Sequence, residues 1–97
     1  MSNSQKKAWP KVTVVIVNWN GEQFLERCLT ALVAQTATPY EIILVDNAST
    51  DGSLDIARRF PTVRLLAQNS NTGFARGNNI AINATAESSE WIALLNP

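Results

Sequence analysis

The sequence predicts an α/β fold in which helices wind around both faces of a parallel sheet, and three observations support this prediction. Four short apolar runs alternate with three segments of helical periodicity, in the order β-α-β-α-β-α-β. The first two runs are apolar at nearly every position, which is typical of strands that helices cover on both faces. The connections between runs are short, and this favours right-handed crossovers within a single sheet.

The first strand and helix follow a short leader. Met1–Lys7 is polar and basic, and we expect residues 1–10 to form a flexible leader. The β-branched run Val12–Val17 predicts the first strand. Asn20 is then expected to cap the first helix, with Gln23 three residues later returning the hydrogen bond. The predicted apolar stripe of this helix follows i, i+3, i+4 spacing and consists of Leu25, Cys28, Leu29, Leu32 and Val33.

The second strand and helix are shorter. Thr36–Pro39 interrupts the helical pattern, and Glu41–Val45 is the predicted second strand. A short helix follows, closed by Pro61 and carrying the apolar residues Leu54, Ala57 and Phe60. Oxygen atoms that suit its N-terminal cap come from Ser49, Thr50 and Asp51.

The last three elements complete the alternation. Val63–Ala67 is the predicted third strand, Ala75–Ala84 the third helix and Trp91–Leu95 the fourth strand. Ala81 and Ala84 are small enough to let this helix pack closely on the sheet. Residues 11–97 therefore form one predicted Rossmann-like domain.

Composition limits the range of functions. The chain has 97 residues, 45% of them hydrophobic, with eight basic and eight acidic side chains. This balance favours neither nucleic acid nor an anionic membrane surface as a partner. Because the chain has no histidine, acid–base or metal chemistry would have to come from carboxylates. The single cysteine, Cys28, and the absence of a secretory signal or a membrane-length apolar run predict a cytoplasmic protein.

Polar residues stand at the end of each predicted strand. The four ends are Asn18-Trp19-Asn20, Asp46-Asn47, Gln68-Asn69 and Asn96-Pro97. Ligands of parallel α/β sheets bind beyond the carboxyl ends of the strands, so we expect one composite site there.

Two residues at these ends suit a nucleotide, and each has a structural alternative. Asp46 suits a ribose hydroxyl or the N3–H of uracil or thymine, but it also suits a turn or a helix cap. The Trp19 indole suits stacking on a base, but it also suits covering the first helix. Asn18 has backbone and amide groups that suit a base edge. We expect Asp46 and Trp19 to converge on one crevice.

The segment from Asn69 to Asn79 offers a third possibility. It opens a predicted helix, whose free N–H groups together with the guanidinium of Arg76 suit a phosphate. The alternative is a loop broken by glycine with a solvated arginine. Two motifs are missing: no glycine-rich dinucleotide turn follows the first strand, and no Walker lysine pattern occurs. Their absence disfavours a nucleotide-dependent oxidoreductase and a P-loop enzyme.

Four motifs in order resemble the family 2 glycosyltransferases, in particular the rhamnosyltransferase-like branch. They are Val-Asn-Trp-Asn-Gly (17–21), Val-Asp-Asn-Ala-Ser-Thr-Asp-Gly-Ser (45–53), Asn-Thr-Gly-Phe-Ala-Arg-Gly-Asn-Asn (71–79) and Leu-Leu-Asn-Pro (94–97). The resemblance implies the first half of a GT-A fold, which binds the nucleotide of an activated sugar. It places Trp19 and Val17 beside the base and Asp46 on the base with Asn47 next to it. It places Asn79, and less directly Arg76, toward the diphosphate.

The same resemblance implies the chemistry of the complete enzyme. An acceptor hydroxyl would attack a UDP- or dTDP-linked sugar with inversion, and a Mg or Mn ion would steady the leaving diphosphate. The family's acidic metal motif would begin immediately after Pro97, so we expect no metal ligand and no catalytic base within residues 1–97. We therefore predict a truncated, inactive donor-binding half, whose uncovered apolar surface favours self-association. Contact with the inner membrane face is a further expectation for the complete protein.

A non-catalytic α/β nucleotide-binding or interaction module is the alternative. A receiver-like module would need an acidic pair after the first strand and an aspartate after the third. The sequence has Asn18-Trp19-Asn20 and Gln68-Asn69 at these places.

Overall fold

The computed structural model describes residues 10–35 and 39–95, which contain the predicted elements in the predicted order. The strands are β1 (Val12–Asn18), β2 (Glu41–Asp46), β3 (Val63–Ala67) and β4 (Trp91–Leu95). The helices are α1 (Glu22–Val33), α2 (Ser53–Arg58) and α3 (Phe74–Ala84). The leader before Pro10, most of the predicted break after α1 and the last strand end, Asn96-Pro97, lie outside the described residues.

The sheet is parallel throughout, with strand order β3-β2-β1-β4. The chain moves outward from β1 to β3 and then returns past β1 to form β4, so the winding direction changes between β1 and β4. Leucines of α1, together with Ile56 and Ala57 of α2, pack in one core layer with Val14 and Ile16. Ala81 of α3 packs in a second layer with Val15 and Val17. Because these β1 residues alternate between the two faces, the predicted doubly wound arrangement is confirmed.

β1 and β2 each extend one residue beyond their predicted ends. Asn18 pairs in register with Asp46, and the Asn47 amide donates to the Asn18 carbonyl at 2.8 Å. The Gln68 amide likewise donates to the Asp46 carbonyl at 2.8 Å. The polar residues at these two strand ends therefore lie within the sheet, where Asn18 and Asp46 are both 1% exposed.

The predicted cap of the first helix is wrong. Helix α1 begins at Glu22, and the residue at its N-cap position is Gly21, which has no side chain to cap it. Asn20 has a φ of 51°, a left-handed conformation that asparagine tolerates better than most residues. In this conformation its Oδ1 accepts from the Thr50 amide at 2.8 Å, in the loop after β2. The predicted Asn20–Gln23 capping box therefore does not form.

Smaller differences from the predictions concern the ends of α1 and α2, which pack in the same core layer. Leu25, Leu29 and Leu32 of α1 are buried as predicted, whereas Val33 at its end is 38% exposed. The N-cap position of α2 is Gly52, and among the three predicted candidates it is Asp51, one residue earlier, whose carboxylate accepts from the Ser53 amide at 2.9 Å. Phe60 lies beyond the end of α2 but still packs against the core.

The two edge strands differ in how they are protected. In β3, Arg64 lies 3.6 Å from Glu41 and donates to the Ala84 carbonyl at 2.7 Å, so this edge carries a fixed charge. In β4, every residue is exposed, including Trp91 at 66% and Leu94 at 57%. Because successive strand residues point to opposite faces, both faces of β4 are uncovered and apolar.

Candidate functional site

The ends of β1 and β2 are joined by a buried hydrogen-bond network around Asp46. Asn18 Nδ2 donates to Asp46 Oδ1 at 3.0 Å. Ser49 donates to the same carboxylate twice, from its hydroxyl to Oδ1 at 2.7 Å and from its amide to Oδ2 at 2.9 Å. Both oxygens of Asp46 are therefore occupied by the protein, and the turn that they close includes Ala48 at a φ of 62°.

A second set of hydrogen bonds joins the loops that follow β1 and β2. The Ser49 hydroxyl accepts from the Asn20 amide at 2.9 Å, and Asn20 Oδ1 accepts in return from Thr50. Asp51 Oδ2 accepts from the Glu22 amide at 3.1 Å, and Glu22 Oε1 accepts from the Gly52 amide at 3.2 Å. The two loops are thus fastened to each other by side chains from both.

The charge of Asp51 is favoured by these contacts. Partial burial by itself raises the pKa of Asp51, but hydrogen bonds from Ser53 and Glu22 together outweigh it and lower the pKa below its ordinary value of 3.8. A lowered pKa means that the carboxylate stabilises the folded chain above that value. This contribution is lost as the pH falls through the lowered pKa.

A small cavity opens at the carboxyl edge of the sheet, beside these loops. Its volume is about 110 Å³, and its lining residues are Val17, Trp19, Asn47, Asn71, Gly73 and Phe74. Trp19 is 55% exposed. The residues on either side of it, Asn18 and Asn20, are fixed by hydrogen bonds to Asp46 and Ser49. Its indole is therefore held at the cavity with much of its surface open to solvent.

Asn47 presents an unsatisfied carbonyl group at this cavity. The residue is 2% exposed, and its Nδ2 donates to the Gly73 carbonyl at 3.1 Å. Its Oδ1 is buried and has no hydrogen-bond partner. A buried acceptor without a partner is costly, and within the described residues Asn18 Oδ1 and Ser53 Oγ are also buried without a partner.

Helix α3 closes one side of the cavity through two glycines. A Cβ atom on Gly77 would lie 2.7 Å from Val17 Cγ1, so only glycine lets α3 approach β1 this closely. Gly73 has a φ of 89°, a conformation that other residues rarely adopt. Its carbonyl receives the hydrogen bond from Asn47, so the start of α3 is tied to the end of β2.

The seven predicted site residues divide into three groups. Val17, Trp19 and Asn47 line the cavity described above. Asn18 and Asp46 lie in the buried network and do not line it, which differs from the expectation that Asp46 and Trp19 share a crevice. Arg76 and Asn79 are exposed and line a separate open groove of about 640 Å³ along α3.

Phe74 lines the cavity and was not among the predicted residues. It is 58% exposed and is the first residue of α3. The sequence gives one signal for it, because an aromatic residue occupies the start of a helix, where polar residues are usual.

Divalent metal does not fit the described part of the chain. Residues 10–35 and 39–95 contain no group of three or more histidine, cysteine, aspartate or glutamate side chains that could hold a metal ion. Asp46, which precedes the cavity residue Asn47, accepts hydrogen bonds from Asn18 and Ser49 at both of its carboxylate oxygens. Within the same residues, no helix has both the length and the apolar character to cross a bilayer.

The sequence model of "Glycosyl transferase family 2" matches residues 13–97. The chain belongs to this glycosyltransferase family. It is 34% identical over 94 residues to N-acetylglucosaminyl-diphospho-decaprenol L-rhamnosyltransferase of Mycobacterium tuberculosis, covering 87% of this chain and 31% of that protein. It is 29% identical over 92 residues to the glycosyltransferase GlyA of Streptococcus pneumoniae, covering 84% and 13% respectively. The chain thus spans less than a third of the length of these two family 2 relatives.

A solved glycosyltransferase structure has the same fold. The mannosyltransferase PcManGT from Pyrobaculum calidifontis, in complex with GDP-Man and Mn²⁺, superimposes with a TM-score of 0.73 at 27% identity. The match covers 79% of this chain and 25% of that one. The predicted family and the predicted Rossmann-like, GT-A type α/β fold are therefore confirmed.

Proposed function

We propose that this family 2 chain binds the nucleotide of a nucleotide-diphospho-sugar, as the donor-binding part of an inverting glycosyltransferase. The observation that carries the proposal is the cavity at the carboxyl edge of the sheet. There, Trp19, which is half-exposed, and Asn47, whose buried side-chain carbonyl has no partner, line one space. A flat apolar surface beside a single free acceptor suits a nucleobase that carries a ring N–H.

The orientation of the Asn47 amide supports a pyrimidine with an N–H group. Because Nδ2 is already bound to the Gly73 carbonyl, the group that Asn47 offers to a ligand is the acceptor Oδ1. The N3–H of uracil or thymine can donate to it, whereas N3 of cytosine is itself an acceptor. The role of Asp46 on the base remains a prediction, but its occupied oxygens make Asn47 the better candidate.

The donor and acceptor of the complete protein are proposals of the same kind. We propose a UDP- or dTDP-linked sugar, although the mannosyltransferase PcManGT was solved with GDP-Man. The rhamnosyltransferase relative is named for a diphospho-decaprenol acceptor. A lipid-linked acceptor would bring a cytoplasmic enzyme to the inner face of the membrane.

Arg76 and Asn79, in the open groove beside α3, are the proposed contacts for the diphosphate.

Transfer by the complete enzyme would proceed by attack of an acceptor hydroxyl on the anomeric carbon, with inversion and with a carboxylate taking the proton. A Mg or Mn ion, as in the complex of PcManGT with Mn²⁺, is the proposed cofactor of the complete enzyme. We propose that residues 1–97 alone do not transfer sugar. The support is that the described residues offer no metal cluster and that the chain spans 31% of the rhamnosyltransferase.

Calorimetric titration tests the proposed donor site. We expect the chain to bind UDP and dTDP weakly, without added metal, and to bind CDP less well. Replacing Trp19→Ala or Asn47→Ala should weaken UDP binding by about tenfold, because base stacking and a buried hydrogen bond each contribute roughly 1–3 kcal/mol.

Phe24→Ala is the matched control for this titration. Phe24 is 54% exposed on α1 and does not line the cavity, so this variant should bind UDP as the unaltered chain does. If none of these nucleotides binds the unaltered chain, or if Trp19→Ala and Asn47→Ala bind UDP normally, the proposed site is wrong.

Self-association through β4 is a separate proposal. It is supported by the exposed apolar faces of β4, which carries no charged residue to discourage pairing with another strand. We expect size-exclusion chromatography with light scattering to find dimers or larger species that Leu94→Glu reduces. Val33→Glu, at an exposed position of α1, should have no such effect. A monomer at every concentration would contradict the proposal.

A further inference from the structure

We infer that Phe74 is a second base-contacting residue, so that the cavity holds its ligand with two aromatic side chains. This inference rests on the proposed nucleotide site and adds a residue to it. Phe74 and Trp19 line the same cavity, with exposed fractions of 58% and 55%. Single exposed apolar side chains are common on protein surfaces. What distinguishes this pair is that Asn47, whose buried side-chain carbonyl has no partner, lines the same cavity.

The backbone position of Phe74 is set by the contacts of its neighbours in the chain. The Gly73 carbonyl, immediately before it, accepts from Asn47 Nδ2 at 3.1 Å, and the Gly73 amide donates to Asn71 Oδ1 at 2.9 Å. One turn further along α3, Gly77 lies against the side chain of Val17. Phe74 is therefore fastened to the ends of β1 and β2, the same elements that hold Trp19 and Asn47.

This fastening makes the ring available to a ligand. Neither Phe74 nor Trp19 makes a contact with another aromatic ring within residues 10–35 and 39–95. Both rings therefore keep free surface at the cavity. Anchoring Phe74 in advance lowers the entropy that binding must remove, so its ring can contribute to affinity more fully than a side chain on a free loop.

The chemistry of the walls selects a planar ligand. Aromatic rings pack well against a flat unsaturated ring, and stacking on a base is tolerant of which base it is. The hydrogen bond to Asn47 Oδ1 then selects a ring that donates an N–H at its edge. Together these groups suit uracil or thymine better than a puckered ring with the same N–H.

Binding of UDP and 5,6-dihydro-UDP to ring variants tests the inference. The dihydro compound retains N3–H, ribose and diphosphate, but its base is not planar. The unaltered chain should prefer UDP, and Phe74→Ala should weaken UDP binding by about tenfold and reduce that preference. Phe74→Leu, which keeps apolar bulk without a ring, should behave like Phe74→Ala. Phe74→Tyr should keep UDP affinity within about twofold.

A control variant and two contrary outcomes test the role of Phe74 separately from the proposed nucleotide site. Phe24→Ala removes an equally exposed ring outside the cavity and should change neither affinity nor preference. Circular dichroism melting shows whether each variant is folded during the titration. If Phe74→Ala and Phe74→Leu keep both the affinity and the preference, the inference is wrong while the proposed site stands. If the unaltered chain binds no nucleotide, both are wrong.

Discussion

Replacing Asp46→Ala is expected to destabilise the folded chain by at least about 3 kcal/mol, enough to unfold a large fraction of a domain this small. The carboxylate accepts from Asn18 Nδ2 and from both the amide and the hydroxyl of Ser49. Alanine would leave these buried or half-buried donors without their acceptor, and it would open the turn after β2. Urea unfolding followed by circular dichroism measures the change in the free energy of unfolding.

The same variant distinguishes the two roles that the sequence left open for Asp46. Asp55→Ala is the matched control, because Asp55 is exposed on α2 and its ion pair with Arg58 spans 3.8 Å. Exposed pairs of this kind contribute little, so the control should change stability by less than about 0.5 kcal/mol. If Asp46→Ala unfolds at the same urea concentration as the unaltered chain but no longer binds UDP, Asp46 holds the base and Asn47 does not.

Replacing Gly77→Val is expected to cost about 2 kcal/mol or more in stability and to lower UDP affinity. Even a Cβ atom at this position would lie 2.7 Å and 3.1 Å from the two methyl carbons of Val17, which cannot swing aside. Helix propensity alone would predict the opposite sign, because glycine is a weaker helix former than valine by roughly 0.3 kcal/mol. The steric clash with Val17 outweighs the gain in helix propensity, because α3 would have to shift away from the sheet. Unfolding and UDP titration measure both effects.

A compensating change tests the physical reason. Val17→Ala removes the methyl groups that Gly77→Val would meet, so the double variant should recover part of the lost stability. Gly52→Ala is the matched glycine control: a Cβ there meets the carboxylate of Glu22 at 2.9 Å, and that flexible end can move. Equal loss of stability in Gly77→Val with and without Val17→Ala would show that contact with Val17 is not the cause.

The fold was predictable because every element carries its own local signal. The apolar runs of β1 and β2 and the leucine stripe of α1 each indicate their structure without help from the rest of the chain. β3, β4 and the end of α3 have the bounds that the sequence predicts. The prediction failed for Asn20, because a cap and a left-handed turn use the same residue type. The hydrogen bond from the Thr50 amide to Asn20 Oδ1 decides between these two roles, and the sequence does not reveal it.

The position of the candidate site follows from the sequence, but its detailed contacts do not. The polar strand ends and the family motifs locate it at the carboxyl edge of the sheet. They do not show that Ser49 and Asn18 occupy the carboxylate of Asp46, because partners contributed by separate loops leave no pattern in the sequence. The free carbonyl of Asn47 depends in the same way on where the Gly73 carbonyl lies. Phe74 enters the site only because Gly77 lets α3 approach Val17.

The two core layers differ in size, and this difference makes α3 easier to detach from the sheet than α1. Helix α1 contributes three buried leucines to its layer, whereas the buried residues of α3 are Gly77 and Ala81. Detachment of α3 by local unfolding therefore costs less free energy than detachment of α1, and it would occur while most of the sheet stays intact. Such an opening would remove Phe74 and Gly73 from the nucleotide and release Asn47 Nδ2. A nucleotide held between α3 and the strand ends would suppress this motion, so occupancy of the site and attachment of α3 are thermodynamically linked.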